Sequence, residues 1–173
     1  MKRILSYALV AVVAVLIAQH SVAKPVGPAK PLHVAQWVKN GPINLADGAG
    51  KNVYLVEFWA SWCPPCRESV AHLTALQKKY KDKGLVVVGV SAEETDDVKA
   101  FVSAQGDRMN YAVAVDQDGK TNEEYMDANG INTIPHAFLV DKSGAVAWHG
   151  FPLDNEMEKT LVKLLGEKPV APR

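Results

Sequence analysis

Residues 53–59 read VYLVEFW, apolar at every position except Glu57. A run without alternation belongs to a strand covered on both faces. Residues 85–90 (LVVVGV) repeat the pattern, so two buried strands are expected. Between them, Val70, Leu73, Leu76 and Tyr80 recur at helical spacing within a helix over residues 67–83, with Pro64 and Pro65 at the first helical positions, where proline is tolerated. Lysines at 78, 79, 81 and 83 suit its negative end, and Gly84 stops it. Residues 91–94 (SAEE) read as a capping box, with Asp96 and Asp97 favouring the start of a helix whose inner face is Val98, Phe101 and Val102. The acidic run over residues 93–97 is thereby helix-start electrostatics rather than a binding patch. Short strands are expected at 33–37 and 111–115, a helix at 121–128, and a hairpin of strands 136–141 and 145–149 around the turn 142–144. A last helix at 154–165 turns Met157, Leu161, Leu164 and Leu165 inward. Strands alternating with helices before a hairpin predict an α/β fold, with helices on both faces of a mixed sheet.

The N-terminus follows a different pattern. Lys2 and Arg3 precede an apolar stretch over 4–18, and Ser21, Val22 and Ala23 supply small residues. This pattern predicts a signal peptide over residues 1–23, cleaved after Ala23, and a periplasmic or otherwise exported protein. The alternative is an uncleaved membrane anchor, for which the run is short. Residues 24–31 (KPVGPAKP) read as a linker, 32–166 as the domain and 167–173 as a flexible tail. Without Lys2 and Arg3 the basic count falls from 19 to 17 against 19 acidic residues, a charge of about −2. That balance leaves no electrostatic footprint for nucleic acid.

Export changes the meaning of the two cysteines. Cys63 and Cys66 are the chain's only pair, and three positions is too tight a spacing to staple a fold. A zinc site would need further ligands, and no second Cys-x-x-Cys exists, so no metal or cofactor is expected. The remaining reading is thiol–disulfide exchange. Cys63, ahead of a helix and facing its positive end, is the nucleophile; Cys66, a turn further in, resolves the mixed disulfide. Pro64 and Pro65 have no N–H groups, which leaves the Cys66 N–H and the helix dipole to hold the Cys63 thiolate. Weak thiolate stabilisation favours the disulfide and predicts a reductant.

The segment FWASWCPPC at residues 58–66 resembles the active site of the thioredoxin superfamily. Residues 131–135 (INTIP), followed by a strand and hairpin, resemble its cis-proline loop. The helix and strand inserted over residues 91–115 resemble the exported branch that includes TlpA-like, ResA-like and cytochrome c maturation thioredoxins. The resemblance covers residues 32–165. It implies a thioredoxin-like three-layer fold with a strand–helix insertion, and a protein-disulfide oxidoreductase. It places that family's buried acidic residue at Glu57, which would take the proton of Cys66. It also implies a cis bond at Pro135 and a client-docking groove of Trp62, Pro64, Pro65, Thr133, Ile134 and Pro135. The partners would be disulfide-bearing client proteins and a membrane thiol carrier as electron donor, the protein itself being a monomer. Two positions depart from the pattern. Ser69 stands where the exported reductants usually carry Glu, three residues after the second cysteine, and His136, read as a strand residue, follows Pro135. Two alternatives use the same fold: a copper carrier built from Cys63, Cys66 and His136, and a peroxide-reducing redoxin, which would want Thr where Ala60 stands.

Overall fold

The computed structural model describes residues 27–166. The expected signal peptide over 1–23 and tail over 167–173 lie outside them. Eleven regular elements occur there: β1 (Gly27–Pro28), β2 (Val34–Lys39), β3 (Val53–Phe58), α1 (Pro64–Tyr80), β4 (Leu85–Ser91), α2 (Thr95–Gln105), β5 (Ala112–Asp116), α3 (Lys120–Tyr125), β6 (His136–Val140), β7 (Ala145–Gly150) and α4 (Asn155–Leu165). The described strands form one mixed sheet in the order β1-β7-β6-β3-β4-β5-β2. β3 runs parallel to β4 and antiparallel to β6, and every residue of it is buried. The apolar run at 53–59 is therefore the centre of the sheet, as its lack of alternation predicted.

The two faces of β3 build two cores. Leu55 packs with Leu73 of α1, Val98 of α2, Leu139 of β6 and Leu161 of α4. Val56 packs on the other face with Val88, Phe138 and Tyr125 of α3, with Trp37 and Leu45 against them. Helices thus lie on both sides of the sheet. Gly84 closes the α1 connection at φ +96°, where a Cβ would stand 2.6 Å from the Lys51 carbonyl oxygen, so only glycine lets the chain enter β4 there. Among the described residues no helix is long and apolar enough to cross a membrane.

α1 begins at Pro64, with Pro64 and Pro65 at its first positions as read from the sequence and Cys63 as the N-cap. Two other stretches differ from the sequence reading. The capping box does not form. Ser91 stays in β4, paired with Val115, and α2 starts at Thr95 behind Glu94 without a side-chain cap bond. The stretch read as a linker is docked where it is described: Gly27 and Pro28 pair with Val146 and Ala145, and the Ala29 N–H donates to the Gly144 carbonyl at 2.8 Å. The Lys30 carbonyl accepts from the Tyr125 hydroxyl at 2.6 Å. These backbone bonds and the apolar contacts of Ala29 and Leu32 fix a segment whose composition alone suggests freedom.

Candidate active site

β3 ends at Phe58, and the chain turns through residues 59–62 before Cys63 caps α1. Cys63 and Cys66 form a disulfide. The Cys66 N–H donates to the Cys63 sulfur at 3.3 Å, the contact left when Pro64 and Pro65 supply none. Both cysteines are nearly covered, at 3% and 1% exposure. The nucleophile read from the sequence, Cys63, is thus covered in this oxidised form. Helix α1 and the 134–135 loop enclose the sulfurs, and the Ile134 carbonyl oxygen lies 3.9 Å from the Cys63 sulfur. The Ile134–Pro135 bond is cis. Trp62, Thr133, Pro64 and Pro65 are exposed around this contact, Ile134 is half-buried and Pro135 buried. Trp62 and Ile134 also line a pocket of about 210 Å³ shared with Phe58, Val90, Glu93 and Asn122. The docking residues expected from sequence are thus gathered beside Cys63. Trp59 is buried and packs on Phe101, their ring centroids 5.2 Å apart.

Glu57 lies beneath the cysteines, on the face of β3 that meets α1. It is 1% exposed, buried as the resemblance implied and away from solvent. Its neighbours across the sheet are Gly89 and Ala137, which leave room for the carboxyl. A Cβ at Gly89 would stand 2.9 Å from Trp59 Nε1 and 3.1 Å from the Tyr111 ring. Burial pushes the Glu57 carboxyl up to about 8, against a smaller opposing effect of its hydrogen bond with Ser69. Among the described residues no cation acts on it there.

His136 is placed away from the cysteines. Its ring Nε2 lies 3.0 Å from His149 Nδ1, and it packs on Phe138, whose core faces the other side of the sheet. Burial first, then His149, pushes His136 down to about 4. The copper alternative needs His136 together with both cysteines, and no group of three potential ligands occurs among the described residues.

Sequence reasoning missed Glu93. Instead of capping α2 it accepts from the Ser61 N–H at 2.7 Å, the Ser61 hydroxyl at 2.6 Å and the Ser91 hydroxyl at 2.9 Å. Arg67 Nε donates to the Ser61 carbonyl at 2.7 Å. The turn carrying Trp62 and Cys63 is thereby tied to both α1 and the β4–α2 loop. No local signal reveals a contact 32 residues away. Glu93→Ala removes the acceptor of two Ser61 donors and is expected to lower stability by about 1–3 kcal/mol, seen as an earlier urea midpoint.

A model of the AhpC/TSA family matches residues 27–149. The thiol-disulfide oxidoreductase ResA of Bacillus thuringiensis (strain Al Hakam) is 36% identical over 122 residues, 70% of this chain and 66% of that protein. The chain thus spans just under two thirds of this relative. The ResA of Bacillus thuringiensis subsp. konkukian is 34% identical over 142 residues, 80% of this chain and 78% of that protein. A crystal structure of a Chlorobium tepidum protein, assigned as the thiol:disulfide interchange protein DsbE, superposes with a TM-score of 0.71 at 30% identity, covering 83% of this chain and 99% of that one.

Proposed function

The chain belongs to the AhpC/TSA family, and from that premise we propose that it is an exported thiol–disulfide oxidoreductase that reduces disulfides in client proteins. The observation that carries this reading is the Cys63–Cys66 disulfide at the start of α1, with the Cys66 N–H on the Cys63 sulfur. The named relatives, thiol-disulfide oxidoreductases, support it.

In the reduced protein the Cys63 thiolate attacks a client disulfide and displaces one client thiolate. The mixed disulfide is held between Trp62 and Ile134, where the client segment pairs with the Ile134 backbone as an added strand. Glu57 in its carboxylate form takes the proton of Cys66. The Cys66 thiolate attacks the Cys63 sulfur, the Cys63–Cys66 bond forms, and the electron pair of the broken bond leaves with the second client thiolate. Two electrons pass to the client, and a membrane thiol carrier returns two. The protein acts as a monomer outside the cytoplasm, after removal of residues 1–23. The single N–H on the Cys63 sulfur supports a reducing poise, since little holds its thiolate. Ala60, in place of Thr three residues before Cys63, argues against peroxide reduction.

Purified, pre-reduced protein is expected to precipitate insulin by reducing its interchain disulfides. No turnover would overturn the reading. A reduction potential near that of strong oxidants, measured against a glutathione buffer, would reverse its direction.

A further inference from the structure

Ser69 sits one helical turn beyond Cys66 on α1 and is fully buried. Its Oγ meets two oxygens: it forms a short hydrogen bond with Glu57 Oε1 and lies 2.8 Å from the Cys66 backbone carbonyl. A hydroxyl carries one proton. When Glu57 is ionised both neighbours are acceptors, and only one can receive that proton. When Glu57 is protonated, its own O–H can donate to Ser69, and Ser69 is free to donate to the Cys66 carbonyl. The direction of the Ser69 hydroxyl is therefore tied to the state of the carboxyl.

We propose that Ser69 is a positioning residue for thiol exchange: its hydroxyl holds the Glu57 carboxyl against the turn of α1 that carries Cys66, and turns between Glu57 and the Cys66 carbonyl as Glu57 ionises. The proposal rests on the oxidoreductase reading above. Before resolution, the hydroxyl donates to the Glu57 carboxylate and fixes its rotamer in an otherwise apolar setting. The proton of Cys66 then passes to Glu57. The new carboxylic acid donates to Ser69 Oγ, the Ser69 proton swings to the Cys66 carbonyl, and the Cys66 thiolate forms its bond to Cys63 as the client thiolate departs. The oxidised protein described here is the product of that step.

Burial dominates the Glu57 carboxyl, and the surroundings leave Ser69 as the side chain that hydrogen-bonds it. β4 offers Gly89 and β6 Ala137, neither titratable. α1 offers Cys66. Ahead of β5 lies Tyr111, fully buried, whose phenol burial and then the Glu57 charge hold well above its ordinary value, so it stays neutral. A donor to the charged form lowers the pH at which a buried carboxyl ionises.

The test uses the full chain with Ser69→Ala, which removes the hydroxyl at little change in volume. An infrared titration of the oxidised protein follows the carboxylic acid band, assigned to Glu57 by its absence in Glu57→Gln. Ser69→Ala is expected to move the midpoint up by about one pH unit, the size of losing a hydrogen bond to a charged group. The pH profile of single-turnover mixed-disulfide resolution should move by the same amount, an approximately tenfold slowing on its rising limb. Ser69→Thr, which keeps the hydroxyl, should restore both, and Ser69→Ala in a Glu57→Gln background should leave the pH profile unchanged. An unmoved infrared midpoint overturns the proposal, and so does a moved midpoint with an unmoved rate profile. Wild-type protein without insulin turnover at any pH sinks the oxidoreductase reading instead, and this is seen before any variant is made.

Discussion

Alanine in place of Cys63 is expected to abolish disulfide reduction, a loss of about three orders of magnitude or more, while alanine in place of Cys66 stops the reaction after one covalent step. The asymmetry follows from position. Cys63 is the N-cap of α1, its sulfur receives the Cys66 N–H at 3.3 Å and lies 3.9 Å from the Ile134 carbonyl oxygen. Trp62 beside it is 67% exposed. A client sulfur can approach there, between an exposed indole and a backbone edge. Cys66 lies deeper, at 1% exposure, and reaches only the Cys63 sulfur, to which it is bonded in the oxidised protein. With Cys63 gone no nucleophile faces the client. With Cys66 gone the nucleophile attacks, but nothing displaces the client, so a mixed disulfide accumulates. Insulin precipitation reads the first outcome. A non-reducing gel reads the second, as a covalent adduct of Cys66→Ala that dithiothreitol releases. Turnover by Cys63→Ala, or equal adduct formation by both variants, would refute these roles. The trapped adduct would also name the client.

The chain announces its central features because they are local. The unbroken apolar runs at 53–59 and 85–90 locate β3 and β4, and helical spacing from Val70 to Tyr80 locates α1. Two motifs far apart in sequence, FWASWCPPC and INTIP, meet at the Cys63 sulfur as their resemblance to the thioredoxin superfamily implied. The misses share one cause. Each depends on a partner that no local window contains. Gly27 and Pro28 become a strand only because β7 offers them an edge. Ser91 fails as a cap because pairing with Val115 keeps it in the sheet. Glu93, with the charge pattern of a helix start, instead holds the Ser61 turn. His136 is a strand residue, as read from the sequence, and only its ring partner, on the next strand, lies out of local view. Ser69 is an intermediate case. Its place one turn after Cys66 could be read from helical period, and its meeting with Glu57 required knowing that the β3 carboxyl points at α1.

Glutamine in place of Glu57 is expected to stabilise the oxidised protein, and to do so more strongly as the pH rises. The carboxyl is pushed from an ordinary 4.5 in the unfolded chain up to about 8 in the fold, by burial. Below the lower value both states hold the proton and the group contributes no pH dependence. Between the two values the folded state keeps a proton that the unfolded state has released. Stability therefore falls as pH rises through that window, and levels off above about 8. At about 1.4 kcal/mol per pH unit the accumulated loss reaches about 4–5 kcal/mol. Glutamine matches the neutral acid in shape, carries a donor for Ser69, and cannot ionise. Urea midpoints of the oxidised proteins at pH 5 and pH 8 test this. The wild type should weaken across the interval by most of that amount more than Glu57→Gln. Parallel changes in the two would mean that Glu57 is not held neutral by the fold. The same substitution should slow resolution of the mixed disulfide, because the base that accepts the Cys66 proton is lost. A group that weakens the fold in the pH range where it becomes a base, and whose removal slows the exchange, is kept for its chemistry rather than its packing. Gain of stability and loss of rate in one variant would identify it as such.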